Sequence, residues 1–324
     1  MEITTVAVLG GSGFVGRHVC HALAAEGYRV RVATRDRERA KTQLILLPTM
    51  DLADVNVHDP AQLSTFVHGA DAVINLVGVL HQGGGNGSFE QAHVELSRKV
   101  VTACRGESVG RLLHMSALNA DPGAPSAYLK TKGEAERVVR DSGLAWTIFR
   151  PSVIFGRGDS FLNLFAKLLG MAPVLPLACP GARFQPVFVE DVARAFEAGV
   201  EKVEAFGKSY DLCGPKVYTL RELVQYVGVV TGKQRPILGL NDNLSYSQAL
   251  TMEMFPFKQI FRALGMLMTR DNYYSMKVDN VCSCEFPFGI TSTALEAVAP
   301  TYLGQSNMRS RFQDMRERVR SQQQ

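Results

Sequence analysis

The sequence predicts an α/β protein built on a doubly wound parallel sheet with helices on both faces. Strand-like and helix-like segments alternate from residue 3 to residue 151, and a glycine-rich turn joins the first strand to the first helix. Apolar runs stay well below the roughly 18 residues that a membrane helix needs. Hydrophobic residues make up 46% of the chain and the net charge is +4, values that indicate a globular protein and give no sign of a nucleic-acid partner.

Each predicted element follows from a local pattern. Residues 3–9 alternate and are β-branched, which predicts a buried strand, and apolar residues at helical spacing then predict a helix that ends near Gly27. Further strands are predicted at 28–34, 53–57, 72–78, 111–117 and 145–151, and further helices at 60–67, 89–104 and 127–140.

The alternation weakens after Pro151. Residues 184–196 still predict a strand that enters a helix, and residues 208–212 predict a late strand of the sheet. From residue 236 the chain is rich in Met and Phe and lacks the alternation. We therefore expect a first domain over residues 1–235, with a sheet extension from about 184 to 212, and a smaller C-terminal lobe over residues 236–324 with a basic tail.

The glycines of "VAVLGGSGFVGRHV" (residues 6–19) have separate predicted roles. Gly10 permits a tight turn, Gly13 lets the backbone approach a diphosphate, and Gly16 lets the helix lie close to the strand. The amide groups and the dipole at the start of the helix favour an anion. With a strand before it and a helix after it, this turn predicts a dinucleotide site formed by Gly10, Gly11, Ser12, Gly13, Phe14, Val15 and Gly16.

The end of the second predicted strand bears on the choice of nucleotide. An acidic residue there accepts hydrogen bonds from the ribose of NAD, but this chain has Thr34 followed by Arg35. A guanidinium can pair with the 2′-phosphate of NADP. The alternative is a solvated, charged helix start capped by Asp36. The pattern favours NADP(H) over NAD(H).

A second motif lies more than a hundred residues downstream. Tyr128 and Lys132 are four residues apart, which places them on one face of a helix, and Ser116 ends the preceding predicted strand. Carbonyl reduction uses a Tyr as proton donor, a Lys that lowers its pKa and a hydroxyl that orients the substrate. A surface Tyr–Lys pair is the alternative for an isolated motif of this kind.

Together, these residues resemble the extended or atypical branch of the short-chain dehydrogenase/reductase superfamily over about residues 3–235. The resemblance implies a Rossmann-type domain with Ser116, Tyr128 and Lys132 in its active-site motif. It places Asn56 near the adenine and Asn75 beside the cofactor, and His93 stands where the family has an asparagine. It also implies cofactor contacts from residues of the strand ends and from the active-site pair, namely Val57, Leu76, Val77, Gly78, Tyr128, Lys132 and Pro151.

A narrower resemblance, carried by residues 126–163, 184–195 and 266–281, is to the NAD(P)H-binding accessory subunit family of respiratory complex I and its bacterial relatives. It implies a nucleotide held as a structural ligand and contact with complex I or a membrane surface. An active NADP-dependent reductase, dehydrogenase or epimerase/dehydratase on a small or lipid-like substrate is the other hypothesis, because Ser116, Tyr128 and Lys132 remain. An apolar stripe supports docking, although a helix over a substrate cleft explains it equally well; it comprises Phe257, Ile260, Phe261 and Leu264.

Cysteine spacing and the ends of the chain complete the expectations. Six scattered cysteines match no zinc or redox motif, so we expect reduced thiols and no metal site. The N-terminus lacks the basic region of a signal peptide, so we expect a cytoplasmic protein, peripheral at the inner face of the membrane if it docks there. Five arginines against Asp314 and Glu317 make the segment 309–320 basic, which suits such docking.

Overall fold

The protein, represented by a computed structural model, is described over residues 3–44, 49–79, 88–254 and 268–304. Its contacts divide the chain into two units, and unit 1 comprises Met1–Ser152, Val189–Cys213 and Cys282–Ser292. Residues 153–188 and 214–235 belong to unit 2 with the later part of the chain, so the structure differs from the expected single boundary at residue 235. The reason is that the chain leaves unit 1 after Ser152 and returns to it at Val189–Cys213 and again at Cys282–Ser292, which a local pattern does not reveal.

Unit 1 is built on a seven-stranded parallel sheet, as the sequence predicts. Its seven strands, labelled by their order along the chain, are β1 (Thr5–Leu9), β2 (Arg29–Thr34), β3 (Met50–Asp54), β4 (Ala72–Asn75), β5 (Arg111–Met115), β6 (Ala145–Pro151) and β7 (Lys208–Leu212). The spatial order is β7-β6-β5-β4-β1-β2-β3. Strand order therefore reverses between β1 and β4, which is where doubly wound sheets bind ligands.

Helices cover both faces of this sheet. They are α1 (Phe14–Ala25), α2 (Arg37–Leu44), α3 (Pro60–Val67), α4 (Leu96–Gly106), α5 (Ala127–Arg140) and α6 (Val189–Glu201), and a π-helical turn (Glu90–Glu95) leads into α4. One core cluster joins Phe66, Val100 and Val139 of α3, α4 and α5 to alternate strand residues such as Ala7 and Ile148. The alternate residues of the other face include Val32 beside α1 and Phe149 beside α6.

Unit 2 has its own core, formed by apolar residues such as Phe155, Leu223 and Ala299. Its described helices are α7 (Phe161–Met171), α8 (Leu220–Val230), α9 (Asp242–Glu253), α10 (Arg270–Ser275) and α11 (Leu295–Leu303). Short strand pairs join Ile154–Phe155 with Val187–Phe188, Leu175–Leu177 with Ile237–Gly239, and Arg183–Phe184 with Tyr218–Thr219.

Several predicted bounds shift in the structure. The strand predicted at 53–57 is Met50–Asp54, and the strand predicted at 72–78 ends at Asn75, because the backbone turns outward at the carboxyl edge of the sheet. The apolar stripe from Phe257 to Leu264 and the basic tail from Arg309 lie outside the described residues. None of the helices within the described ranges is long and apolar enough to cross a membrane.

Candidate functional site

The turn between β1 and α1 requires glycine at two positions for internal reasons. Gly10 has a φ of +80°, and its carbonyl oxygen accepts a 3.0 Å hydrogen bond from the N–H of Gly13. A Cβ atom at Gly16 would lie 2.1 Å from that same carbonyl oxygen, so α1 can start this close to β1 only with glycine there. The fold alone therefore explains Gly10 and Gly16.

Gly13 has a different environment, because an added side chain would be crowded by a single described backbone atom. Its backbone is extended (φ −75°, ψ 179°), the residue is exposed, and the described atom that an added Cβ would meet is the Gly10 carbonyl oxygen at 3.2 Å. Gly13 is the N-cap of α1; no described side chain caps this helix, and its first turn carries no acidic residue. Such a helix start favours an anionic ligand that approaches the backbone of Gly13.

The backbone that follows β4 forms the opposite wall. A Cβ at Gly10 would lie 3.1 Å from the carbonyl carbon of Leu76, and the N–H of Leu76 donates to the Leu9 carbonyl at 3.0 Å. The N–H of Val77 donates to Oδ1 of Asn75 at 3.2 Å, which fixes the backbone as it leaves the strand. The structure thus brings residues 10–16 and 76–78 together at the reversal of strand order.

Lys132 lies beneath this wall. Its ammonium group is buried and donates to the carbonyl oxygen of Met115 at 3.0 Å, and a Cβ at Gly78 would approach it to 3.2 Å. Burial lowers the pKa of Lys132 to about 8, although the carboxylate of Glu136 opposes the shift. Lys132 therefore places a titratable cation next to Gly78.

Ser116 and Tyr128 are the other two residues of the predicted active-site motif. Ser116 follows β5 and is buried, and its hydroxyl has no hydrogen-bond partner among the described residues. Tyr128 is half-buried on the first turn of α5, with its ring in edge contact with Phe89 and His93. A buried, unsatisfied hydroxyl at the carboxyl edge of a sheet is suited to accept a ligand's polar group.

His93 is locked in one neutral form. Its Nε2 atom accepts from the N–H of Val79 at 3.3 Å, so the proton is on Nδ1, which donates to Oγ1 of Thr131 at 2.9 Å. Burial, together with the charge of Lys132, lowers the pKa of His93 to about 2. Both ring nitrogens are therefore occupied, and the ring ties the wall after β4 to α5.

The strand ends at β2 and β3 form the side of the site where the adenosine of a dinucleotide lies in sheets of this type. Thr34 is buried and its hydroxyl donates to the carbonyl of Asp36 at 3.1 Å, whereas Arg35 is exposed. The N–H of Val55 donates to the carbonyl of Thr34 at 2.9 Å, which brings the segment that holds Asn56 and Val57 beside Arg35.

Asn56 and Pro151 have structural roles that the sequence did not predict. Oδ1 of Asn56 accepts from the N–H of His58 at 3.1 Å and shapes the turn before α3. Pro151 ends β6, is buried, and its carbonyl accepts from the N–H of Leu118 at 3.0 Å. Their contact with a nucleotide stays a prediction.

A dinucleotide fits the residues that line this crevice. The helix start at Gly13 supplies amide donors for a diphosphate, and the space above Gly13 is one that a Cβ would fill. Ser116 and Lys132 offer polar groups at the opposite end of the crevice. The arrangement can bind a dinucleotide and place a proton donor, Tyr128, beside its reactive end.

Comparison with known proteins supports this assignment. The family model described as NAD(P)H-binding matches residues 10–159. This segment of the chain is an NAD(P)H-binding domain. The fold resembles a crystal structure of the NADPH-dependent quinone oxidoreductase QOR2 from Escherichia coli in complex with NADPH, with a TM-score of 0.73 at 18% identity, over 92% of this chain and 99% of that one.

Proteins with similar sequences include subunits of complex I, which confirms the predicted similarity to that family. The chain is 33% identical to the NADH dehydrogenase [ubiquinone] 1 alpha subcomplex subunit 9 of Arabidopsis thaliana, over 67% of this chain and 56% of that protein. It is also 31% identical to the ceramide reductase of Caulobacter vibrioides, over 58% of each. The chain spans 56–61% of the length of the complex I subunits that it matches in fungi, plants and mouse.

Sequence reasoning missed the partners of His93. Thr131 and Val79 contact its two ring nitrogens, but they are 38 and 14 residues away along the chain. Thr131 lies between Tyr128 and Lys132 in the motif. Its position next to Lys132 is the one feature of the sequence that suggested a role for Thr131 at the site.

Proposed function

We propose that the protein holds NAD(P)H as a retained, structural ligand and serves as an accessory subunit of a complex I type assembly. The observation that carries this proposal is the bonding of His93. In the superfamily that the chain resembles, the position of His93 belongs to the proton relay, yet both of its ring nitrogens are engaged by Val79 and Thr131. The ring stabilises the wall beside Gly78 and has no nitrogen left to pass a proton onward.

The relatives support the same function. Sequence similarity to subunits named as parts of NADH dehydrogenase covers about two thirds of this chain. A nucleotide that binds only the folded state stabilises a domain without being consumed, which suits a subunit that has to stay assembled. The basic composition of 309–320 and the apolar spacing from Phe257 to Leu264 in the sequence suit docking on a membrane-associated partner.

For the nucleotide we propose NADPH over NADH. Thr34 is buried and bonded within its own turn, so no carboxylate stands at that position to accept from a ribose 2′-hydroxyl. Arg35 follows it on the surface, beside the segment of Asn56, where a guanidinium can pair with a 2′-phosphate. The exposed Asp36 next to it opposes the phosphate and limits the preference.

The alternative is an active reductase on a small or lipid-like substrate. The lowered pKa of Lys132 and the unsatisfied Ser116 hydroxyl favour it, as does the similarity to a ceramide reductase. When bound, NADPH would supply a hydride. Tyr128 would then donate the proton to the substrate oxygen while Ser116 holds that oxygen in place.

A complementation experiment separates the two functions. A strain that lacks the gene receives wild-type protein, Tyr128→Phe, Gly13→Val or the control Gly110→Val, whose exposed position has no described atom within 4 Å of an added Cβ. Growth and complex I activity are followed, and nucleotide in the purified proteins is measured by mass spectrometry.

For a structural ligand, Tyr128→Phe and Gly110→Val restore function, Gly13→Val does not, and wild-type protein retains nicotinamide nucleotide through purification. A Tyr128→Phe strain that behaves like the deletion overturns the accessory function in favour of the reductase, for which loss of the proton donor costs about 10²–10⁴-fold in rate.

A further inference from the structure

Cys213 meets a pair of cysteines from a distant part of the sequence, Cys282 and Cys284, in unit 1. Cys213 follows directly on β7 and is buried, Cys282 is half-buried, and Cys284 is exposed. Their Sγ atoms all lie within 4.8 Å of one another. Cys282 and Cys284 are paired as a disulfide, which differs from the expectation of reduced thiols throughout the chain. Cys213 remains a free thiol beside that pair.

We propose that Cys213, Cys282 and Cys284, when reduced, form a thiolate site for a soft d¹⁰ cation, with Zn²⁺ as the representative ion. A zinc–sulfur bond is about 2.3 Å long, so two sulfurs on one ion are at most about 4.6 Å apart. Because the three Sγ atoms lie within 4.8 Å of one another, they are close enough for one ion to approach all three. A disulfide uses only two of the three thiols and gives no reason for the third.

The surroundings hold two of the sulfurs in place. The backbone N–H of Cys282 donates to the Sγ atom of Cys213, the type of contact that orients metal-bound thiolates. The Sγ atom of Cys284 lies 3.5 Å from the carbonyl oxygen of Asp211 on β7, so the exposed cysteine is close to this strand. Because Cys284 is exposed, the ion would keep an open side, as zinc sites with three protein ligands do.

The disulfide and the metal site exclude each other, so the site depends on redox state. Two thiolates of the protein attack a low-molecular-weight disulfide such as glutathione disulfide in succession. The first attack forms a mixed disulfide and releases one small thiolate; the second protein thiolate then attacks the protein sulfur of that mixed disulfide, which forms the Cys282–Cys284 bond and releases the other small thiolate, and the cation leaves. Reduction restores three thiols and the capacity to bind the ion.

The test uses the full-length protein, reduced with a phosphine under nitrogen. Zn²⁺ affinity is measured by competition with a chromophoric chelator, and Co²⁺ substitution reports thiolate ligation through sulfur-to-cobalt charge-transfer absorption. The variants are Cys213→Ser, Cys282→Ser and the exposed Cys284→Ser. The control is Cys179→Ser, a half-buried free cysteine outside the cluster. Circular dichroism and NADPH binding verify that each variant is folded.

We expect one Zn²⁺ per reduced chain, and loss of any cluster thiol should weaken binding by more than about 100-fold, since loss of an outer-shell partner alone costs 10–100-fold. Cys179→Ser should bind like the wild type, and glutathione disulfide should release the ion. Binding by the reduced wild type no tighter than by folded Cys284→Ser overturns the proposal, and so does unchanged affinity in Cys213→Ser. If the folded, reduced wild type takes up neither Zn²⁺ nor Co²⁺, the metal site is refuted and the cysteines form only a disulfide.

Discussion

Substitution of Gly13 separates nucleotide binding from folding, because the two glycines of the turn differ in what a side chain would meet. At Gly13 an added Cβ would lie 3.2 Å from the Gly10 carbonyl oxygen, a tight contact that a shift of a few tenths of an ångström relieves, on an extended backbone. At Gly16 it would lie 2.1 Å from that oxygen and 2.6 Å from the Cα of Gly11. Gly13→Val should therefore fold normally and exclude a diphosphate, whereas Gly16→Ala should destabilise the fold itself.

The size of the expected stability changes follows from the coupling between nucleotide binding and folding. At a nucleotide concentration of about 100 times Kd, a ligand that binds only the native state adds about 2.7 kcal/mol of stability. For a domain of this size that corresponds to a rise in Tm of roughly 5–10 °C. Gly13→Val should lose this rise while its Tm without nucleotide stays near that of the wild type. Gly16→Ala should lose about 1–3 kcal/mol even without nucleotide, the usual cost of overpacking.

The assay is thermal unfolding of the purified, nucleotide-stripped variants with and without NADPH, and calorimetric titration gives the affinities. Gly110→Val is the control, since its exposed position before β5 has no described neighbour within 4 Å of an added Cβ. Normal NADPH binding by Gly13→Val would mean that the diphosphate does not approach this backbone. A large loss of Tm without nucleotide would mean that Gly13, too, is explained by packing alone.

Three other predictions follow from named contacts. Arg35→Ala should lower the preference for NADPH over NADH by about tenfold or more, because loss of one charge-assisted hydrogen bond costs roughly 1.5–3 kcal/mol. Equal dissociation constants of the wild type for NADPH and NADH would contradict the proposed role of Arg35. Burial holds the pKa of His93 at about 2 and that of His114 at about 3, so below pH 6.5 each ring takes a proton only when the chain unfolds. The free energy of unfolding should therefore fall by about 1.4 kcal/mol for each histidine when the pH falls by one unit. In urea titrations at pH 7, 6 and 5, the free energy of unfolding of His93→Gln should depend less on pH than that of the wild type, by the contribution of one histidine. The buried carboxylate of Glu136 binds Nε of Arg150 at 2.7 Å, and Glu136→Gln should cost about 3 kcal/mol in unfolding free energy, whereas a cost below 1 kcal/mol would show that the pair is not coupled.

Local patterns determined several of the elements and the glycine-rich turn. The helices Pro60–Val67 and Ala127–Arg140 and the strands Ala145–Pro151 and Lys208–Leu212 have the bounds that periodicity predicts. The two helices repeat clearly because each buries one face, whereas β6 is buried on both faces, with Ile148 in one cluster and Phe149 beside α6. The preference for glycine at residues 10 and 16 is likewise a property of a short turn, which neighbouring residues specify.

Tertiary structure alone decided the states of the side chains at the site. His93 is neutral because burial and the charge of Lys132 lower its pKa, and burial likewise lowers the pKa of Lys132. The chain returns to unit 1 after residue 188, so a single domain boundary at residue 235 does not describe it. This return brings Cys213 close to Cys282, which is 69 positions away in the sequence. Desolvation, hydrogen-bond saturation and ligand clustering depend on residues that are distant in sequence, so no window of the chain encodes them.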